Sequence, residues 1–192
     1  ELSDPAIDVY DNAMFLIALD YLLEMAPDSP QAPRWRSLRE GIAKNVRTHL
    51  WDEKRQKFIP HIYPEKSPIP EGFDELAIHY HGGTAVAIEA GLLTEDEIRT
   101  VNAQMLENVR LSGMSSIGLT LYPVYPDGFF HGGMSKAYLY QNGGDWTWFG
   151  GRMIQQLVVN GMVEEAYAEI HPMIERVIQN NGFYEWYGKG GI

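Results

Sequence analysis

Apolar and polar residues alternate along the chain in two patterns, and both are typical of α-helices. Residues 11–25 (DNAMFLIALDYLLEM) are apolar on nearly every side, which predicts a helix that is buried on most faces. In residues 34–50, apolar side chains recur every three or four positions, with Arg and Lys between them. This spacing predicts a second helix that buries only one face.

The same pair of patterns returns twice. Residues 83–90 are small and apolar, and Thr94 with Glu97 forms a capping-box motif that predicts the start of an amphipathic helix. Residues 146–160 are again mostly apolar, and residues 162–179 place their apolar side chains on one face. The chain therefore repeats an apolar helix followed by an amphipathic helix.

The lengths of the connections suggest how these helices are arranged. A short loop joins the two helices of each pair, whereas the loops between pairs are long, and residues 111–142 are rich in Gly, Pro and Tyr. We therefore predict an all-α single domain over residues 1–192, built from helical hairpins. With the apolar helices inside and the amphipathic helices outside, the long loops would gather on one face, where a site can form.

Composition narrows the possible functions. The formal net charge of −11 argues against a nucleic-acid partner, because phosphate binding needs clustered Lys and Arg. No apolar run approaches the ~20 residues of a membrane span, so no membrane partner is expected. The chain has no Cys, which excludes thiol catalysis and Cys-ligated zinc.

Candidate chemistry concentrates in residues 140–188. This stretch reads YQNGGDWTWFGG, then a helical run, then NNGFYEWYG, in which Glu185 is surrounded by aromatic residues. Aromatic faces stack on sugar rings, and a partly desolvated carboxylate can act as an acid or a base. The pattern is typical of a site that processes sugars.

These motifs also resemble a known family. YQNGGDWTWFGG, the helix pair after it and GFYEWYG resemble the closing segment of the alkaline/neutral invertases. The hairpin pattern of the whole chain is similar to the six-hairpin, (α/α)6-toroid glycosidases, a group that includes the glucoamylases. In that group the catalytic base typically follows the eleventh helix and the acid precedes the sixth. The resemblance implies that the chain is half of such a toroid, its helices being the sixth to the eleventh.

The same resemblance implies two catalytic carboxyl groups. Glu185 would be the general base and Asp11, in DVYDNAMFLIAL, the general acid, with inversion at a carboxyl separation of roughly 6.5–9.5 Å. Glu185 could instead be a surface residue, and Asp11 could be the N-cap of the first helix. Asp4 and Asp8 compete with Asp11 for either role.

A further set of residues is predicted to bind an oligosaccharide substrate through hydroxyl groups or ring faces: Gln141, Asn142, Asp145, Trp146, Trp148, Tyr184, Trp186, His81 and His131. For Asp145 the alternative is again an N-cap, and Trp146 and Trp148 could pack between hairpins. His79 and His81 flank Tyr80, but no third ligand has clear spacing, so we expect no metal site. No cofactor is expected.

Two other functions remain open. Sugar 2-epimerases also use (α/α)6 rings but rely on His acid/base pairs, for which His79, His81 and His131 would be the candidates. A half-ring would expose apolar helix faces, which also favours a carbohydrate-binding or assembly module without catalysis. Self-association of two copies could close a twelve-helix ring.

Overall fold

A computed structural model describes residues 5–191 and is dominated by helices. The α-helices in this range are α1 (Val9–Met25), α2 (Ala32–His49), α3 (His81–Glu89), α4 (Glu95–Ser112), α5 (Thr147–Val159) and α6 (Val163–Gln179). They follow the predicted helices closely, and the bounds differ by a few residues at most. The all-α class predicted from the apolar spacing is confirmed.

The helices form three hairpins arranged in an arc. α3 lies between α1 and α5, and these three helices form the inner layer. The outer helices α2, α4 and α6 each pack on the inner helix that precedes them. Every residue of α3 from His81 to Ile88 is buried, whereas α2 buries only Ala32 and Val46. The apolar helices are therefore inside and the amphipathic helices outside, as predicted.

Glycine allows the inner helices to approach one another. A Cβ on Gly82 would lie 2.8 Å from the Phe149 ring on α5, and a Cβ on Gly83 would lie 2.7 Å from Val9 Cγ1 on α1. Real Cβ atoms do not come that close, so a side chain at either position would force its neighbours on the adjacent helix to shift. The small residues at the start of α3 thus set its distance from both neighbours.

Three antiparallel strand pairs connect the loops of the described chain. They are β1 (Trp51–Asp52) with β2 (Lys57–Phe58), β3 (His79–Tyr80) with β4 (Leu121–Tyr122), and β5 (Asp145–Trp146) with β6 (Trp186–Tyr187). β3 leads directly into α3 and β5 into α5, while Ile7, just before α1, bridges to Ile62. The amino ends of the three inner helices are therefore each tied to a long loop, as expected for a loop-rich face.

Capping explains where two helices begin. The Asp8 carboxylate accepts a hydrogen bond from the Asp11 backbone N–H at 2.8 Å, so Asp8 is the N-cap of α1 and Asp11 lies inside its first turn. The alternative assignment of Asp11 as the N-cap is therefore wrong. At α4, Thr94 and Glu97 form both bonds of the predicted capping box.

Apolar side chains are exposed at both ends of the arc. On α1 these are Phe15, Tyr21, Leu22 and Met25. Between α5 and α6 lies an apolar groove of about 350 Å³ whose lining includes Ile170, Ile174 and Phe183. In residues 5–191 no helix is both long and apolar enough to cross a membrane.

Candidate functional site

A cleft of about 200 Å³ lies beside the amino ends of α1 and α3. The described residues that line it are Asp8, Pro60, His61, Ile78, Tyr80, Leu121, Tyr125, Phe130, Met134 and Gln141. Asp8 caps α1 and Tyr80 ends the strand that leads into α3. The other residues come from the two long connections α2–α3 and α4–α5, so the cleft exists only when the hairpins pack together.

A buried carboxylate fixes one wall of the cleft. Glu75 Oε1 lies 2.8 Å from His61 Nδ1, which must donate because an ionised carboxylate only accepts. The hydroxyls of Tyr63 and Tyr125 donate to the same oxygen at 2.7 and 2.6 Å. Burial alone would raise the pKa of Glu75, but the hydrogen bonds from His61, Tyr125 and Tyr63 outweigh it and the pKa is lowered. Glu75 therefore stays ionised and holds the His61 ring in place.

On the α1 side the cleft carries a second carboxyl group, Asp8. The side chain is partly buried, and this burial raises its pKa, an effect opposed by the hydrogen bond from the Asp11 N–H and reinforced by the negative charge of Asp11. A carboxyl group with a raised pKa retains its proton to higher pH, which suits a proton donor. Asp11 itself is exposed and does not line the cleft.

Aromatic rings form an apolar wall of the cleft beside Glu75. Tyr125 is almost fully buried, stacks on Phe129 with ring centroids 4.9 Å apart, and meets Phe130 edge to face at 4.8 Å. The Asn142 side chain holds Tyr125 in place, since its Oδ1 accepts from the Tyr125 N–H at 2.9 Å and its Nδ2 donates to the Tyr125 carbonyl at 3.1 Å. Asn142 is fully buried, so it holds the backbone of Tyr125 in place and is not the exposed binding residue that was predicted.

Gln141 and His81 illustrate two outcomes for the predicted binding residues. Gln141 is exposed and lines the cleft, and its role in binding stays a prediction. His81 is buried, with Nδ1 3.1 Å from the Leu119 carbonyl oxygen and Nε2 3.0 Å from Asn108 Nδ2. Burial lowers the pKa of His81 to about 3. With both ring nitrogens occupied inside the fold, His81 is a core residue and not a binding residue.

Asp145 is also part of the core. Its side chain is fully buried, accepts hydrogen bonds from the Ser116 N–H at 2.9 Å and hydroxyl at 2.6 Å, and forms an ion pair with Arg176 at 2.6 Å. The Arg176 guanidinium lies 3.9 Å from the centroid of the Tyr187 ring. Asp145 caps no helix, because Trp146 is the N-cap of α5. Asp145 is therefore neither an N-cap nor an exposed sugar-binding residue. Its ion pair with Arg176 connects α6 to the β5–β6 pair.

The predicted aromatic residues divide by exposure. Trp146 is buried, and its indole N–H donates to the Tyr140 carbonyl at 3.0 Å. Trp186, its cross-strand partner, is partly buried and meets the Tyr140 ring edge to face. Trp148 and Tyr184 are exposed, although Arg152 covers the Trp148 ring at 4.5 Å. Trp148 and Tyr184 therefore remain available to a ligand, whereas Trp146 packs in the fold.

Glu185 lies next to the amino end of α5. Its backbone carbonyl accepts from the Thr147 N–H at 3.3 Å, and the Tyr184 carbonyl accepts from the Thr147 hydroxyl at 3.0 Å. The Glu185 side chain itself is exposed, and Phe183 beside it is also exposed. The expectation that aromatic neighbours partly desolvate this carboxylate is therefore wrong for the described chain.

The remaining histidine candidates lie outside the cleft. His131 is exposed and does not line it. His79 is half-buried beside α4, and burial lowers its pKa to about 4. Asp4 lies outside the described residues. Within residues 5–191, no group of three or more metal-ligating side chains is placed to hold a metal ion.

Sequence reasoning missed the residues that shape the cleft most. His61 and Glu75 are 14 positions apart, and Tyr125 is 50 positions beyond Glu75, with no motif linking them. A pairing of a His with a loop carboxylate has no local spacing signal, since loops bring the partners together. Asp8 was considered as a competitor of Asp11, and the bridge that Ile7 forms directly before it ties this position to the loop of His61.

Comparison with solved structures finds proteins with a similar arc of helical hairpins. The chain resembles part of the helical toroid of six-hairpin glycosidases, which confirms the fold expected from the hairpin pattern. It is similar to GH63 mannosylglycerate hydrolase from Thermus thermophilus in complex with Tris and D-glycerate, with a TM-score of 0.64 and 16% identity over 97% of this chain. The same enzyme in complex with glucose gives a TM-score of 0.63 and 17% identity, again over 97% of this chain.

These structural similarities support the fold alone, because the sequence identities are only 16% and 17%. The chain spans 42% of the first of these structures and 44% of the second, less than half of their length. No protein-family model and no curated protein matches the sequence. The narrower resemblance to alkaline/neutral invertases and glucoamylases stays a prediction.

Proposed function

We propose that this chain supplies part of the active site of a glycoside hydrolase that cleaves an O-glycosidic bond of an oligosaccharide. The observation that carries the proposal is the cleft that brings a partly buried carboxyl group with a raised pKa, Asp8, against an aromatic wall. The fold shared with part of a GH63 hydrolase supports the same class. Because the chain spans less than half of that structure, the activity is proposed for a complete ring of hairpins.

The general acid is assigned to Asp8 in preference to Asp11. Asp8 lines the cleft and its raised pKa favours the protonated form, whereas Asp11 is exposed on the first turn of α1. In the reaction, the acid protonates the leaving oxygen while the base activates water on the opposite face of the sugar. Glu185 remains the proposed base, and an exposed carboxylate would gain its desolvation from hairpins that complete the ring. The outcome proposed is inversion.

The test is a hydrolysis screen over aryl-glycosides and disaccharides with three variants. Asp8→Asn keeps the N-cap of α1, because Asn caps as well as Asp, but it cannot donate a proton to the leaving group. We expect Asp8→Asn and Glu185→Gln to lose at least ~10²-fold in rate and Asp11→Asn to lose little. Full activity in Glu185→Gln would overturn the proposal, and loss in Asp11→Asn alone would return the acid to Asp11.

Light scattering belongs in the same experiment, because the ring must be completed for catalysis. We propose that a second copy of this chain closes the ring through the exposed apolar ends of the arc. Activity that rises with the dimer fraction would support this, and an inactive monomer at all concentrations would favour a binding or assembly role.

A sugar 2-epimerase is kept as a second candidate because of one observation. His79, His81 and His131 lie outside the cleft, but His61 lies in it with its Nδ1 tied to Glu75. A His so fixed can move a proton at its other nitrogen. Epimerisation at C2 in D₂O would incorporate deuterium into the sugar, and hydrolysis would not, so NMR of the product separates the two reactions.

A further inference from the structure

The described lining of the cleft contains no cation that could pair with a negatively charged ligand. Among the described lining residues there is no Lys and no Arg, while Asp8 lines the wall and the ionised Glu75 lies directly behind His61. Lys57 is buried nearby, but its ammonium donates to the Ile78 carbonyl. The ionised Glu75 without a facing cation repels an anion, so the electrostatics of the cleft disfavour a negatively charged ligand.

The His61 ring presents a defined nitrogen. Because Nδ1 donates to Glu75, Nε2 is the ring nitrogen left for a ligand, and it has no bonding partner among residues 5–191. The hydroxyls of Tyr63 and Tyr125 converge on the same Glu75 oxygen, which holds the carboxylate and hence the ring in one orientation. Nε2 can then make one directional hydrogen bond to a hydroxyl.

The size and lining of the cleft limit the ligand further. Its volume of about 200 Å³ is below the roughly 300–1,000 Å³ typical of sites for larger ligands. Ile78, Leu121 and Phe130 supply apolar surface, while Gln141 and Asp8 supply further polar groups around it. One sugar ring has this combination of a C–H face and several hydroxyls.

We propose that the cleft is a subsite for a single uncharged sugar ring, in which His61 Nε2 binds a ring hydroxyl and thereby determines specificity. Glu75 is the positioning residue that fixes the tautomer of His61. The subsite selects neutral sugars over uronic acids because the ionised Glu75 lies behind His61 and no cation lines the described cleft. The sugar class rests on the proposed function, but the recognition by His61 does not require that hydrolysis occurs here.

Binding is measured on the full chain by isothermal titration and by saturation-transfer NMR. The probes are the methyl glycosides of glucose, mannose and galactose and the methyl glycoside of glucuronic acid. We expect at least one neutral glycoside to bind at least ~10-fold more tightly than the glucuronide. We expect His61→Ala to weaken that glycoside ~10-fold, as the loss of one directional hydrogen bond predicts.

His171→Ala is the matched control, since His171 is exposed on α6 and remote from the cleft residues. It should bind as the unsubstituted chain does. Glu75→Gln tests the positioning role. The ring-nitrogen chemical shifts of His61 should lose the signature of a ring held with its proton on Nδ1, and binding should weaken while the fold measured by circular dichroism is kept.

The results separate this inference from the proposed function. Equal affinity for the glucuronide, unchanged binding by His61→Ala, or no binding of any neutral glycoside would each overturn the inference. Neutral-sugar binding that depends on His61, without any hydrolysis that depends on Glu185, would leave the inference standing and remove the proposed function. Hydrolysis that is indifferent to His61 would do the reverse.

Discussion

Two buried carboxylates, Asp145 and Glu75, have similar surroundings but different consequences. Each accepts several hydrogen bonds, Asp145 from Ser116 and Glu75 from His61, Tyr63 and Tyr125. Asp145 is paired with Arg176 inside the fold, and neither residue lines the cleft. Glu75 holds a histidine whose ring lines a cleft.

The contrast shows how to distinguish a structural carboxylate from a site carboxylate. Burial and the number of hydrogen bonds are alike for both, so neither separates them. What differs is the partner: a buried guanidinium on α6 neutralises Asp145, whereas the imidazole at Glu75 belongs to a residue that lines the cleft and has a second nitrogen. Variants of these carboxylates and their partners test that difference, beginning with the largest expected effect.

Breaking the Asp145–Arg176 pair should destabilise the fold most. Arg176→Met leaves the fully buried Asp145 charge without its cation, and such a loss costs about 3–5 kcal/mol. Urea denaturation followed by circular dichroism measures the change. The double variant Asp145→Asn with Arg176→Met should recover part of the loss, because Asn still accepts from Ser116.

Arg99→Met is the control for that experiment. Arg99 pairs with Glu95 on the exposed face of α4, and a surface pair contributes roughly 0–1 kcal/mol. If Arg176→Met proved no more harmful than Arg99→Met, the view of the Asp145 cluster as a closed structural unit would be refuted.

Glu75→Gln should destabilise the chain less, by about 1–3 kcal/mol, because a neutral amide replaces a carboxylate that three donors satisfy. The folded-state pKa of Glu75 is lowered from 4.5, so its stabilisation is present above pH 4.5 and is lost as the pH falls through the folded pKa. The stability gap between the two proteins should therefore narrow in acid. A gap that is constant with pH would contradict this origin.

Glu169 sharpens the comparison because it is a buried carboxyl group with no cation beside it among the described ion pairs. Burial raises its pKa to about 7, against a smaller opposing effect of the hydrogen bond from Asn102. Because the folded state holds the Glu169 proton more tightly than the unfolded state does, the protonated carboxyl contributes its full stability below pH 4.5. That contribution is lost as the pH rises towards 7, where the buried group ionises. Glu169→Gln should therefore raise the melting temperature by a few degrees at pH 8.

The pH dependence provides the check on Glu169→Gln. The gain should shrink at pH 4, where Glu169 is already neutral, and the exposed Glu175→Gln on the same helix should show no such dependence. A gain of equal size at pH 4 and pH 8 would assign the effect to packing instead of ionisation.

The smallest effect is expected at the cap of α1. Asp8→Ala removes the hydrogen bond to the Asp11 N–H and should cost about 1 kcal/mol, whereas Asp8→Asn should cost almost nothing. Thermal denaturation of the two variants measures this. Equal loss in both would mean that the charge of Asp8, and not its capping oxygen, stabilises the helix.

The sequence predicted the fold better than the site, and particular residues explain why. The helices follow from local spacing of apolar residues, and the capping box at Thr94 and Glu97 is local as well. The role of Asp145 depends on Arg176, which lies 31 positions later on another element. No local pattern distinguishes an Asp that caps a helix from one that meets a distant Arg in the core.

The cleft is harder still to predict, because its contacts cross loops. Glu75 meets Tyr125 across 50 positions, and neither residue belongs to a regular motif. Gln141 was predicted as a binding residue because it stands beside Asp145 in the sequence, and it does line the cleft. The exposed position of Glu185 could not be read from its aromatic neighbours, since aromatic residues at the surface and in the core look alike in sequence.

The glycine at position 83 has a consequence for the size of the cleft. Its Cβ would meet Val9 at 2.7 Å and the Tyr80 ring at 2.8 Å, and Tyr80 and Asp8, the neighbour of Val9, both line the cleft. The distance between α1 and α3 therefore affects the width of the cleft. A methyl group at this buried position would therefore change the size of the ligand that the cleft can admit.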